Sequence, residues 1–147
     1  MKLDRLNWEI LQMLQSNARI SNTSIGRQIG ISSPAVSERI RKMEDAGVIQ
    51  QYHTVISPIE SGYQLKAIIT LRAFMGKLKP FLQKVQTFDE VVNCYRITGN
   101  ENIVMEVILK NQHHLEAFID QLITYGETKT QIVLSHVVRN KEVKPLS

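Results

Sequence analysis

The sequence holds a single cysteine, Cys94, in 147 residues. One cysteine excludes an internal disulfide framework and a cysteine-built zinc site, and it suits a reducing compartment. No apolar run approaches the ~18 residues that a membrane-crossing helix requires. The opening stretch Met1-Lys2-Leu3-Asp4-Arg5-Leu6 mixes acid and base where a secretory leader would be apolar. The expectation is a cytoplasmic protein with no membrane partner. Glycine-rich phosphate loops are missing. His113 and His114 are adjacent, so on a helix they point about 100° apart and cannot grip one metal ion together. They read as a solvated pair at a helix start. His53 and His136 are isolated, and no metal or cofactor is expected. Cys94 lies among Val and Tyr with no cationic neighbour in sequence, which reads as a small buried hydrophobe and not a nucleophile. No catalytic set emerges, and the expectation is a protein that is not an enzyme.

What remains is an ordinary globular composition, 43% hydrophobic and 22% charged, enough for one sizeable core or two small ones. Lys and Arg number 18 against 14 acids, a net charge of +4. This mild excess permits nucleic-acid binding without establishing it. The excess is shared evenly about Ser57/Pro58, so gross charge does not say which half meets a polyanion.

The hydrophobic period changes along the chain. Leu3, Leu6, Ile10 and Leu14, with Leu11 beside them, recur at helical spacing and predict a helix over roughly 4–17. Ser21 can cap a short second helix carrying Ile25 and Ile29, with Gly30 at the following turn. Ser33 before Pro34 opens a third helix with Val36, Ile40 and Met43 on one face, ending before Gly47. Residues 48–57 read as extended, followed by a hinge at Pro58 and Gly62. Alternation then takes over. Strands are expected over 65–73, 91–98, 103–109 and 130–138, with helices over 78–87 and 113–125. The order β-α-β-β-α-β is the ferredoxin-like arrangement. The expected class is α+β: a helix-turn-helix domain over 1–50, an extended linker over 51–64 and a ferredoxin-like βαββαβ domain over 65–147. On the sheet face away from the helices, Ile68, Phe74, Val104 and Ile108 mingle with Thr70, Arg72 and Glu106, which predicts that two sheets meet by self-association. Tolerated single surface aliphatics are the alternative.

Helices two and three with Gly30-Ile31-Ser32 between them form a helix-turn-helix pattern, which presents the start of the third helix to a major groove of double-stranded DNA. Gly26 falls where the helices approach closely. Ile25, Ile29, Ile31, Val36 and Ile40 make the wedge between them. Ser33, Pro34, Ser37 and Glu38 are placed for base edges and Arg39, Arg41 and Lys42 for phosphates, with Ser32 beside them in the DNA-binding set. Small serines make few strong base contacts, so modest specificity with a share from DNA bending is expected. A solvated basic face on a plain three-helix domain is the alternative. Trp8 sits off the apolar row of the first helix and is expected to be partly buried in its own domain. Thr98-Gly99-Asn100-Glu101-Asn102 reads as a tight hairpin between two strands.

Leu3-Asp4 with Ile10-Leu11, Ala18-Arg19-Ile20-Ser21, Ile29-Gly30-Ile31-Ser32, Ala35-Val36-Ser37-Glu38-Arg39-Ile40, Glu44-Asp45-Ala46-Gly47-Val48-Ile49, Thr98-Gly99 and Thr130-Gln131-Ile132-Val133-Leu134-Ser135 together resemble the Lrp/AsnC family, the feast/famine regulators. The resemblance spans essentially the whole chain. It implies a winged-helix-like DNA-binding domain, a C-terminal RAM-type domain that dimerises and binds an amino acid or related small metabolite, and homodimers that assemble into tetramers or octamers. It also implies an effector site at the loop Thr98, Gly99, Asn100, Glu101 and Asn102, to which Thr130, Gln131 and Ser135 on the last strand can add hydrogen bonds. Asn102 stands where the family often has an acid, with Glu101 just before it, and Asn7 stands where the family often has Asp. Two other functions remain open: an architectural protein that compacts DNA with little sequence preference, and a sirohaem-decarboxylase-like enzyme, for which only His136 lies on an expected strand.

Overall fold

The computed structural model describes residues 1–146. Ser147, the last residue of the expected second domain, lies outside them. The chain separates into two compact units, one formed by Met1–Val55 together with the chain from Val138 onward, the other by Ile56–Val137.

In the helical unit α1 runs Arg5–Ser16, α2 Asn22–Ile29 and α3 Ser33–Asp45. Each start has a chemical cause. The Asp4 carboxylate accepts from the Asn7 N–H, the Ser21 hydroxyl from the Ser24 N–H and the Ser32 hydroxyl from the Ala35 N–H, each satisfying a donor that the first turn leaves free. The cap of α3 is thus Ser32 and not Ser33; Ser33 is the first helical residue and Pro34 the second, where a missing N–H costs nothing. Ile10, Leu11, Ile25, Val36 and Met43 form the buried core, with Trp8, Ile29, Ile31 and Ile40 packed against it.

The α2–α3 turn depends on two glycines. Gly30 holds φ +75°, a left-handed conformation that side chains resist. Gly26 is buried, its carbonyl accepts from the Ile31 N–H at 3.0 Å, and a Cβ there would run into the Ile31 carbonyl oxygen. Residues 48–57 join no hydrogen-bonded ladder within the chain. Val48 and Ile49 instead donate to the Met43 carbonyl and close the end of α3.

The second unit is a four-stranded antiparallel sheet of β1 Leu65–Ala73, β2 Val91–Arg96, β3 Ile103–Leu109 and β4 Gly126–Ile132, in the order β2-β3-β1-β4. Helices α4 Leu78–Lys84, extended by a 3-10 turn over Val85–Thr87, and α5 Gln112–Leu122 cover one face. Period-two alternation sorts the residues: Ala67, Ile69 and Leu71 with Ile103, Met105, Val107 and Leu109 are buried beneath Phe81, Phe88, Phe118 and Leu122. Phe88 meets Phe118 edge-on with ring centroids 5.2 Å apart. The last strand begins at Gly126 and ends at Ile132, four residues earlier than expected at its start and six at its end, because it pairs with β1 from Ala73↔Gly126 to Ala67↔Ile132. Phe74 lies one residue beyond the end of β1.

The chain from Val138 onward clusters with the helices and not, as expected, with the sheet. The Gln15 side-chain amide fixes it by bonding both polar groups of Val143.

Adding one methyl at Gly26 forces the turn open, so Gly26→Ala should lower the stability of the helical unit by about 1–3 kcal/mol. Thermal melting followed by amide exchange should show early loss of protection in α2 and α3 with the sheet unaffected.

Candidate nucleic-acid interface and effector loop

On α3 the residues divide by face. Val36 and Met43 are buried, while Pro34, Ser37, Glu38, Arg41 and Lys42 form an exposed row starting at the helix N-terminus. Ser33 is half-buried, and the exposed Ser32 uses its hydroxyl oxygen as the cap.

The charged side chains of this row are not independent. Arg41 donates to both oxygens of Glu38, at 3.2 and 3.0 Å, and to Asp45 at 2.8 Å, while the Lys42 ammonium lies 3.5 Å from Glu38. The Arg41 guanidinium, and after it Lys42, hold the Glu38 carboxyl below the usual carboxylate range. One acid therefore sits between two cations on the outward face.

Arg39 does something else. Sequence position suggests a phosphate contact, but the side chain turns inward, and its Nη1 donates to both Asp4 oxygens, at 3.1 and 2.8 Å, and to the Asn7 Oδ1 at 2.8 Å. Asn7 is only 3% exposed. Arg39 thus ties α3 to the first turn of α1, and Asn7, to which the sequence reading gave no role, is the buried acceptor that holds it. Asp4, which the sequence reading placed inside the first helix, is its cap and at the same time the partner of a residue 35 positions away.

In the sheet unit Thr98–Asn102 joins β2 to β3 as expected, with Gly99 at φ +111° and the Ile97 N–H donating to the Asn102 carbonyl. Asn102 is bound into the sheet: its N–H donates to the Leu71 carbonyl, and its Oδ1 accepts from the Ala73 N–H at 2.7 Å. Glu101 accepts from the Lys129 ammonium at 2.8 Å, and that bond is the largest cause holding its carboxyl below the ordinary range. Beside it, Arg72 pairs with Glu127 at 2.6 Å across the β1–β4 ladder.

The structure does not gather the other effector candidates with this loop. Thr130 opposes the buried Ile69 and lies on the helix-covered side, Gln131 opposes Ile68 on the open face, and Ser135 lies beyond the end of β4. Lys129 and Arg72, which the sequence reading omitted, are the side chains beside Glu101. Only the strand register reveals them.

The remaining candidates resolve simply. His114 is not solvated: its Nδ1 accepts from the Lys110 N–H at 3.1 Å, which leaves Nε2 as the proton-bearing nitrogen, 2.9 Å from Glu90. Cys94 is half-buried opposite Met105, and burial pushes its thiol pKa up. Trp8 is half-buried against the helical core. Among the described residues no group of three His, Cys, Asp or Glu could hold a metal ion, and no helix is long and apolar enough to cross a membrane.

A helix-turn-helix unit joined to an antiparallel α/β sandwich of this topology defines a two-part binding protein, and comparisons with known proteins agree. Residues 3–50 match the winged helix-turn-helix DNA-binding family model, and residues 66–143 match the Lrp/AsnC ligand binding domain. The chain is 36% identical to the HTH-type transcriptional regulator Ptr1 of Methanocaldococcus jannaschii over 90% of this chain and 92% of that protein. Among solved structures, it is similar to LrpC of Bacillus subtilis, with a TM-score of 0.89 and 28% identity over 94% of this chain and 99% of that one. It is also similar to the NMB0573/L-Met complex from Neisseria meningitidis, with a TM-score of 0.88 and 25% identity over 94% of each chain. The chain belongs to the Lrp/AsnC family and is a DNA-binding transcriptional regulator of that type.

Arg39→Ala should leave the buried Asn7 oxygen without its donor, costing the helical unit about 1–3 kcal/mol, while Arg39→Lys restores only part of this. Chemical denaturation followed by Trp8 fluorescence checks both. The Asn7 N–H, and after it Arg39, hold the Asp4 carboxyl below its ordinary value of 3.8. A carboxyl whose folded pKa is depressed contributes stability that is full above the ordinary value and lost as pH falls through the lowered one. The helical unit should therefore weaken below about pH 4, and Asp4→Asn, which keeps a cap but no charge, should flatten that part of the pH profile.

Proposed function

We propose that α3 reads duplex DNA in the major groove with Pro34, Ser37 and Glu38 toward base edges, Ser32 and Ser33 at the entry of the helix, and Arg41 and Lys42 toward phosphates. The exposed row on a helix whose opposite side is locked by core and clamp carries this reading. Arg39 is left out of the contact set, since its Nη1 is engaged with Asp4 and Asn7 and draws the side chain toward α1. Glu38 favours selective binding over plain compaction. A carboxylate between the two cations repels bare phosphate, yet it can accept from the exocyclic amine of cytosine.

The protein acts as a homo-oligomer, a dimer that assembles to a tetramer or octamer. Ile68, Val104 and Ile108 are only half-covered on the open sheet face, where Tyr95 is also exposed. Leu134 and Val137 are 96% and 89% exposed just after β4. Such apolar surface favours a second copy. Several recognition helices on one assembly gain avidity of roughly 10²–10⁴ at matched half-sites. The loop Thr98–Asn102, with Glu101 presented beside Lys129 and Arg72, takes a small amino-acid-like effector, whose carboxylate and ammonium match these opposite charges. Gln131 lies on the same sheet face; Thr130 and Ser135 are peripheral to it. The effector shifts DNA affinity through its differential affinity for the assembly states. Regulation of this kind belongs in the cytoplasm and needs no catalysis.

Reversing Arg41 and Lys42 together to Glu should weaken duplex binding and reduce the slope of log affinity against log salt by about 2. An unchanged slope in a folded variant sinks the DNA-contact assignment. Glu38→Ala should raise affinity for bulk DNA and reduce discrimination at one base pair by roughly tenfold. Light scattering at micromolar concentration should give a mass above the monomer that changes with at least one amino acid of a panel. A monomer refutes the assembly claim; a mass and DNA affinity indifferent to the whole panel refute the effector claim.

A further inference from the structure

The tail after Val138 carries no part of either core, yet it is held in a specific way. Gln15, in the last turn of α1, presents its side-chain amide to the tail as a neighbouring strand would present a peptide group. Its Nε2 donates to the Val143 carbonyl at 3.1 Å, and its Oε1 accepts from the Val143 N–H at 2.8 Å. One residue along, the Ser16 hydroxyl donates to Glu142 at 2.8 Å. Glu142, Val143, Lys144 and Pro145 then form one wall of a groove of about 520 Å³, whose other wall is α1 with Trp8 and Gln12.

The chemistry of this seat decides what it can hold. Both backbone groups of Val143 are recognised, one as donor and one as acceptor, which selects for a peptide and for no simple ion or sugar. Little of the grip is apolar: Val143 stays 69% exposed and Leu146 99%. Solvent-exposed hydrogen bonds are individually modest, so the tail can let go. Covalent attachment keeps it at an effective concentration of order millimolar, enough to occupy a weak site most of the time.

The chain passes between the two units twice, at Val55–Ile56 and at Val137–Val138. With the tail seated, the DNA-binding helical unit is tethered at both ends of the intervening sheet unit; with the tail free, only the linker tethers it. We propose that α1 carries a peptide-binding site for the chain's own C-terminal tail, and that seating there through Gln15 makes the tail a releasable strap restraining the DNA-binding unit. The strap rests on the DNA-binding reading above, whereas the seat does not.

Trp8 is the sole tryptophan and lines the groove, so its emission reports occupancy in the full chain. Val143→Pro removes the N–H that Gln15 accepts, and Gln15→Glu faces the Val143 carbonyl with an oxygen in place of a donor. Both variants should shift Trp8 emission toward that of a chain ending at Val138, with far-ultraviolet circular dichroism unchanged. A synthetic peptide of residues 138–147 should reverse the shift in the Val143→Pro chain, and the same peptide carrying Val143→Pro should not. Parental emission in both variants, or a silent peptide, overturns the seat. On duplexes with two half-sites, inserting half a helical turn should weaken the parent sharply and the released variants several-fold less. Equal penalties overturn the strap. A parent that binds no duplex overturns the DNA reading instead, and the emission experiment still decides the seat.

Discussion

The pose of the recognition helix depends on one guanidinium reaching from α3 to a buried amide on α1. Arg39 satisfies Asn7 and the cap carboxylate of Asp4 together, so the start of the first helix and the middle of the third cannot shift independently. Ion pairs of this kind contribute little net stability, because desolvation offsets attraction. Their effect is orientational: a polar group with one satisfying partner accepts one arrangement, where an apolar contact tolerates several. The Gly26–Ile31 contact does the same for α2 and α3 by steric exclusion. Between them, the outward row from Pro34 to Lys42 is presented by a body of three helices that has little freedom to deform.

That rigidity gives meaning to the charge pattern. Lys42 stands four positions after Glu38 and Arg41 three, so a single turn of helix neutralises much of its own positive charge. A surface built only to hold polyanions would have no acid at its centre. One that must compare sequences gains from it, since phosphate attraction is weakened while base discrimination is kept. The second unit shows a related division. Its helix-covered face is a closed aromatic and aliphatic core, while the other face mixes half-covered Ile68, Val104 and Ile108 with paired charges at its edge. Stability comes from the first face; the second is the one proposed for association.

Much of this was legible from periodicity. The 3.6-residue rows of Ile10, Val36 and Met43, the Ser21 cap and the Gly30 turn identify three helices because each rests on interactions within a few residues. Alternation at 65–73 and 103–109 identified strands for the same reason. The ends were less legible. Val133 and Leu134 favour extension locally, yet the paired register ends at Ala67↔Ile132, with one further bond from the Val133 N–H to the Lys66 carbonyl. The tail reads as featureless in sequence because what holds it, Gln15, is 128 residues away.

Sequence by itself determined the helix-turn-helix, the order of the sheet domain and the residues that would face outward on α3, since these follow from local propensity and period. Tertiary structure decided which of those residues are available. Arg39 and Arg41 stand two positions apart on the same helix and read alike as cations, but one is committed to the fold and the other faces solvent. The effector candidates Thr130 and Gln131 are sequence neighbours placed on opposite faces of a sheet. The physical reason is the same in each case: hydrogen bonds and ion pairs are short-ranged and directional, so a side chain's role is set by what the folded chain brings within about 3 Å of it, and no local pattern records that.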